Sequence, residues 1–200
     1  MTVIGITGPT GAGKTTALGV LSELGGCILD ADALYHQLLE EDTMLRAELE
    51  GRFGPMTDAN GRFDRKQLGA VVFHDRRAME DLNAITHPYM HQLFQKQLEW
   101  AAGKGYSLAA IDAIRLFESG ADALCHCTLA IVAPALVRID RIMAREGITR
   151  KYAAARVAAQ QPDEFYTSRC DHVLHNDTTN QNEFRDRARA LFESILNGAE

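Results

Sequence analysis

No apolar run in this sequence extends beyond a few residues, which excludes a membrane-spanning helix. The first residues carry no basic segment and no cleavage pattern, so no signal peptide is expected and the cytoplasm is the expected location. No C-x-x-C pair occurs among the four cysteines, Cys27, Cys125, Cys127 and Cys170. Cys125-His126-Cys127 lacks the second ligand cluster of a zinc motif, so reduced, partly buried thiols are expected instead. Positive charge is not in excess either. A formal net charge of −6 argues against a general nucleic-acid binder. Internal repeats and low-complexity segments are absent, and no shift in composition marks a linker.

What remains is a chain of 200 residues, 46% of them hydrophobic, enough for one α/β unit with inserted lobes. Val3-Ile4-Gly5-Ile6 reads as a short buried strand. A glycine-rich turn follows, then a helix over residues 14–24 with Ala17, Leu18, Leu21 and Leu24 on one face. Gly25-Gly26 stops it. Cys27-Ile28-Leu29 is a second strand, so the chain opens as the start of a parallel α/β sheet. Residues 34–104 read as mainly helical, with a turn-rich loop at 54–61. Thr86-His87-Pro88 is expected to interrupt the helical pattern, with a new helix starting at Pro88. Further strands are expected at 108–112, 129–133 and 172–175. Pro134 is expected to open a helix in which Leu136, Ile139, Ile142 and Met143 face the core. Thr149 is expected to cap an alanine-rich helix that stops before Pro162. The last helix carries Phe184, Ala188, Leu191, Phe192 and Ile195 as one apolar stripe.

The strongest pattern is Gly8-Pro9-Thr10-Gly11-Ala12-Gly13-Lys14-Thr15, which satisfies G-x-x-x-x-G-K-S/T at every required position. Glycine-rich turns arise by chance, but this one has a strand before it and a helix after it. Its glycines let the backbone turn tightly around phosphate oxygens. Successive N–H groups form an anion-binding concavity, and the helix start adds its positive dipole end. Lys14 brings a full charge to the β- and γ-phosphates. Thr15 offers a hydroxyl to Mg2+. A nucleoside triphosphate, taken as ATP, is the expected ligand, held by Gly8, Gly11, Ala12, Gly13, Lys14, Thr15 and Thr16. The loop does not name the reaction. Neither the N-K-x-D of GTPases nor the L-S-G-G-Q of transporter ATPases occurs, and the chain is short for a motor. A kinase acting on a metabolite fits best.

Asp30-Ala31-Asp32 ends the second strand, where open α/β sheets bind ligands. One carboxylate could take the proton of an attacking hydroxyl. Capping of the following helix is the competing use, and the residues alone leave both open. Arg138, Arg141, Arg145, Arg150, Lys151 and Arg156 form a local basic stretch, whose plainest reading is a solvated helix face. Asp112 ends a strand, where an acid can help hold Mg2+ through water. His87 reads as a packing or helix-start residue.

With these motifs in hand, the sequence resembles the dephospho-CoA kinase family. The resemblance rests on Gly8 to Thr15, on Asp30-Ala31-Asp32, and on Asp64-Arg65-Lys66-Gln67-Leu68 with Val72-Phe73. It continues through Leu82-Asn83-Ala84-Ile85-Thr86-His87-Pro88, Leu116-Phe117-Glu118-Ser119-Gly120, Arg141 with Arg145, and Ala155-Arg156-Val157-Ala158-Ala159-Gln160. It ends at Asn176, and the motifs follow the family's order. It implies a P-loop core with a parallel sheet flanked by helices, formed by residues 1–33, 105–135 and 166–200. An acceptor-binding helical insert at about 34–104 and a helical lid at about 136–165 would complete it. It further implies transfer of the ATP γ-phosphate to the ribose 3′-hydroxyl of dephospho-CoA, with Mg2+. Asp32 would be the base, Lys14 would bind phosphate, and Arg141 and Arg145 would close over the triphosphate. Asn176 would border the adenine, a strand-end turn being the other use; Arg65 and His87 would serve the acceptor. No nucleic-acid or membrane partner is implied, and a monomer or weak homo-oligomer is expected. One departure stands out. Ile114-Arg115 occupies positions where the family commonly has proline and leucine. Arg115 is read as a surface arginine paired with an acid, a substrate phosphate contact being the other use. Another metabolite kinase, or a catalytically weak nucleotide-binding relative, are the competing functions.

Overall fold

The computed structural model describes residues 1–58, 61–178 and 180–198. The chain divides into two compact units, Met1–Leu29 with Trp100–Glu200, and Asp30–Glu99.

The first unit is built on a five-stranded sheet. Its strands are β1 (Thr2–Thr7), β2 (Cys27–Asp30), β3 (Leu108–Asp112), β4 (Cys127–Val132) and β5 (His172–His175), in the order β2-β3-β1-β4-β5. The β1/β3, β1/β4 and β4/β5 ladders are parallel. Strand β1 lies in the middle and is buried from residue 3 to residue 7. A parallel strand covered on both faces needs apolar residues on both, which explains why its sequence does not alternate. Ile4, Ile6, Leu129 and Ile131 from the sheet meet Val20 and Leu21 from α1 (Lys14–Glu23) and Phe184 and Phe192 from α9 (Gln181–Asn197). Ala17, Leu18 and Leu21 are buried as the helical spacing predicts, and Leu24 packs at the edge. Strand β4 begins two residues earlier than expected, because Cys127 is already in register with Ile4.

Helices α6 (Ala135–Glu146) and α7 (Arg150–Ala158) pack on each other through Ile139, Ile142 and Ala153, with Met143 and Val157 at the margin. Thr149 caps α7, its hydroxyl accepting from Tyr152 N at 3.4 Å. Leu136 does not join this core. It is 64% exposed, because the first turn of α6 precedes the contact with α7. A 3-10 turn at Ala121–Leu124 and the short α8 (Asp163–Thr167) are elements that spacing did not indicate.

The second unit holds α2 (Ala31–Glu41), α3 (Thr43–Phe53), α4 (Arg65–Val72) and most of α5 (Arg76–Gly103). Asp30, Asp42 and Asp64 cap α2, α3 and α4 by accepting from backbone N–H groups two or three residues on. The loop expected at 54–61 is present around a Thr57–Phe63 bridge; Ala59 and Asn60 lie outside the described residues.

The expected break at Pro88 does not occur, and α5 runs straight through it. Proline inside a helix costs about 3 kcal/mol, because it removes one hydrogen bond and crowds the preceding turn. Set against this, Leu82, Thr86, Met90, Phe94 and Leu98 are all buried, one every fourth residue on both sides of Pro88. Each buried aliphatic or aromatic side chain contributes roughly 1.5–3 kcal/mol, so the continuous stripe outweighs the proline. Thr86 fits the stripe by donating its hydroxyl to Leu82 O at 2.8 Å.

Candidate active site

The phosphate-loop motif leaves the C-terminal end of β1 and runs into α1 at Lys14. Gly13 is the N-cap and has φ 111°, with no side chain to satisfy the N–H groups of the first turn. The positive end of the helix dipole at this cap favours an anion. Neither Gly8 nor Gly13 can be replaced within this backbone. A Cβ on Gly8, at φ 141°, would lie 2.1 Å from Ile131 O, and one on Gly13 would lie 2.2 Å from Asn176 Nδ2.

Four side chains donate to the loop carbonyls. Lys14 Nζ donates to Gly8 O at 2.7 Å. Arg138 Nε donates to Thr10 O at 3.2 Å. One Nη of Arg141 reaches Gly11 O at 3.3 Å and Ala12 O at 3.4 Å. Asn176 Nδ2 donates to the same Ala12 O at 2.8 Å, and its Oδ1 accepts from the other Nη of Arg141 at 3.0 Å. The carbonyls of Gly8, Thr10, Gly11 and Ala12 are thus each engaged by a side-chain donor, which fixes the conformation of the loop. Burial lowers the pKa of Arg141, but arginine stays protonated at neutral pH.

Beside the loop lies a cavity of about 240 Å³ lined by Gly13, Thr16, Arg141, Asn176, Thr178, Gln181 and Phe184. One aromatic ring set among polar groups suits a flat, hydrogen-bonding ligand part. Thr15 is exposed at the first turn of α1. Asp112 ends β3 opposite Ile6, one residue before β1 ends. The Thr15 hydroxyl and the Asp112 carboxylate are hard oxygen donors of the kind Mg2+ takes. Among the described residues, no cluster of three or more His, Cys, Asp or Glu side chains forms a protein-only metal site.

The second unit carries the remaining expected residues. Asp30 is the N-cap of α2 and accepts from Ala33 N at 3.0 Å. Asp32 follows in the first turn, exposed and not used as the cap. The two carboxylates thus divide: Asp30 has a structural task that Asp32 does not share. Arg65 is the exposed first residue of α4, and His87 is half-buried in α5. Neither lines the cavity of about 210 Å³ formed in this unit by α2 and α5 with Tyr89 and Lys96 among its walls.

The basic stretch splits in two. Arg138 and Arg141 turn into the loop, whereas Arg145 is exposed and pairs with Glu146 at 2.6 Å. Arg156 pairs with the same Glu146, and Arg150 pairs with Asp140 at 2.7 Å. Arg115 is exposed after β3 and, contrary to expectation, forms no ion pair among the described residues. His126 uses its ring in the fold, with Nδ1 accepting from Val3 N at 3.0 Å. Burial pushes the Cys125 thiol up to about 12 and the Cys170 thiol up to about 11, so neither is a thiolate at neutral pH.

Sequence reasoning missed the loop-holding role of Arg138, Gln160 and Asp163. Their only signal was an arginine inside a run of arginines and a glutamine shared with the family. It also missed Thr178, in the β5–α9 connection, and Gln181, which opens α9; both line the cavity.

The family model CoaE, described as dephospho-CoA kinase, matches residues 2–182. A dephospho-CoA kinase of Salinibacter ruber is 35% identical over 199 residues, covering 99% of this chain and 100% of the relative. A solved Thermus thermophilus protein superposes with a TM-score of 0.77 at 34% identity, covering 96% of this chain and 97% of the other. A solved dephospho-CoA kinase from Campylobacter jejuni superposes with a TM-score of 0.71 at 25% identity, covering 99% and 98%.

Proposed function

The chain belongs to the dephospho-CoA kinase family, and on that premise we propose that it transfers the γ-phosphate of ATP to the ribose 3′-hydroxyl of dephospho-CoA, giving coenzyme A. The observation that carries this reading is the full-length likeness to dephospho-CoA kinases, joined to a phosphate loop whose carbonyls accept from Lys14, Arg138, Arg141 and Asn176.

In this reading the loop N–H groups and Lys14 bind the triphosphate and hold its γ-phosphoryl group for in-line attack. Lys14 exchanges its contact with Gly8 O for phosphate oxygens. Arg141 offsets charge at the same place, and Arg145 joins it by giving up Glu146. Asn176, with the cavity beside Gly13, takes the nucleoside end. Thr15 and Asp112 would hold Mg2+, the latter through water, and the ion when bound would offset the charge of the triphosphate. Asp32 accepts the proton of the 3′-hydroxyl as that oxygen bonds to phosphorus and the bond to the ADP oxygen breaks. Arg65 and His87 serve the acceptor, and the cytoplasm is the proposed location. Residues 136–165 act as the lid, keeping water from competing as acceptor.

The test is ADP release with ATP and a panel of acceptors. Turnover with dephospho-CoA supports the reading. Turnover with a nucleoside or sugar alone assigns another metabolite kinase, and ATP binding without turnover assigns a nucleotide-binding relative.

A further inference from the structure

Arg138 is a buried cation, 4% exposed, yet no apolar residue would fill its place with the same effect. Its guanidinium reaches three acceptors on three segments. Nε donates to Thr10 O at 3.2 Å, one Nη donates to Gln160 Oε1 at 2.6 Å, and the other donates to Asp163 Oδ1 at 3.3 Å. Gln160 Oε1 accepts a second hydrogen bond, from Thr10 N at 3.2 Å. Both polar groups of Thr10 are thus tied down, the carbonyl by Arg138 and the amide by Gln160. The contact is tight at the next residue too, since a Cβ on Gly11 would lie 3.0 Å from Arg138 O.

Burying a charge is unfavourable unless hydrogen bonds and a counter-charge compensate it. Burial lowers the Arg138 pKa, and Asp163 and Tyr166 oppose that shift. The compensation here is not a surface ion pair. It is directed at one peptide group of the phosphate loop and joins α6 to the segment between α7 and α8.

We infer that Arg138 and Gln160 are positioning residues that clamp Thr10 through the two peptide groups flanking it and thereby set the loop conformation that receives phosphate. Neither touches the reacting atoms. Arg138 acts through Thr10 O, and Gln160 acts through Thr10 N while orienting Arg138. With its N–H committed to Gln160, Thr10 does not donate to phosphate. Its part is to hold the turn in which the next amides present themselves. Because α6 also carries Arg141, the clamp sets the distance between that arginine and the loop. The inference rests on the reading of the loop as a nucleotide site but not on the identity of the acceptor.

The experiment uses the full chain and ADP with Mg2+ as the probe, by titration calorimetry, with thermal unfolding of each variant alongside. Arg138→Met keeps the stem but removes the donors. Gln160→Met keeps length but removes the acceptor, and Gln160→Glu keeps an acceptor oxygen for both bonds. A hydrogen bond to a charged group is worth roughly 1.5–3 kcal/mol, or about tenfold or more in affinity. ADP affinity should therefore fall about tenfold in Arg138→Met and in Gln160→Met. Gln160→Glu should stay within about threefold of the parent. The Gln160 pair decides the matter even if Arg138→Met does not fold, and Gln160→Met removes no charge, so simple electrostatic attraction is separated. Unchanged ADP affinity in Gln160→Met overturns the clamp. So does an equal loss in Gln160→Met and Gln160→Glu, which would mean that packing alone matters. If the parent protein binds no ADP, the nucleotide site itself is misassigned and the clamp falls with it.

Discussion

Asn176 and Arg141 converge on one peptide carbonyl: Asn176 Nδ2 reaches Ala12 O at 2.8 Å and Arg141 reaches it at 3.4 Å, while the two side chains bond each other at 3.0 Å. Asn176 also stands against Gly13. The strand-end asparagine thus shapes the phosphate loop from behind while lining the cavity beside it. Asn176→Ala leaves Ala12 O with the longer arginine contact and removes one acceptor from Arg141. One net hydrogen bond contributes about 1 kcal/mol, so ADP affinity should fall roughly fivefold. Titration of the variant with ADP checks this, and parent-like affinity would assign Asn176 to the strand-end turn alone.

Arg141 and Arg145 should separate in kinetics. Arg141→Ala removes donors to Gly11 O, Ala12 O, Asn176 and Thr178 O. It should lower kcat/KM by about tenfold or more. Among the described residues Arg145 pairs with the exposed Glu146, and such pairs contribute at most about 1 kcal/mol. If Arg145 meets the γ-phosphate during transfer, Arg145→Ala lowers kcat without changing fold stability. Steady-state rates that match the parent would leave Arg145 as a surface residue.

Asp30 and Asp32 should separate as well. Asp30→Ala removes the α2 cap and should destabilise by about 1 kcal/mol, whereas Asp30→Asn keeps a good cap and should do little. Asp32→Asn should lower single-turnover transfer by about 10²–10⁴-fold, the range for a positioned general base, while ATP binding persists. Transfer at the parent rate in Asp32→Asn removes the base assignment.

Asp171 gives a pH dependence of known sign. Its carboxylate accepts from Thr128 Oγ1 and Thr128 N, each at 2.8 Å, and these bonds hold its pKa below the ordinary 3.8. A depressed folded-state pKa means stability that is present above the unfolded value and lost as pH falls through the folded one. The parent should therefore exceed Asp171→Asn in Tm near neutral pH, and the gap should close below about pH 4. Melting curves across that range test it; a gap that stays constant contradicts the linkage.

The legible parts of the sequence were those where the requirement is local. Gly8, Gly13 and Lys14 mark the loop because glycine backbone geometry and a lysine at fixed spacing are needed within eight residues. Strands β3 and β5 fell at their expected limits because short apolar runs between turns leave little choice. Pro88 misled for the converse reason. The local rule against proline yielded to a buried stripe from Leu82 to Leu98 that only packing reveals. The Arg138–Gln160 bond spans 22 residues and a helix pair, so no spacing rule announces it. Leu136 shows the same limit on a smaller scale, matching the helical period of its neighbours while α7 covers only part of that face.

The central claim is transfer of phosphate from ATP to the 3′-hydroxyl of dephospho-CoA. Its most direct test is to incubate the protein with ATP, Mg2+ and dephospho-CoA, and to read ADP by a coupled assay and the acceptor product by phosphorus NMR. The account predicts one ADP per acceptor consumed, with the new phosphate on the ribose 3′-oxygen. ADP formed without any phosphorylated acceptor, or phosphate placed elsewhere on the molecule, would contradict it.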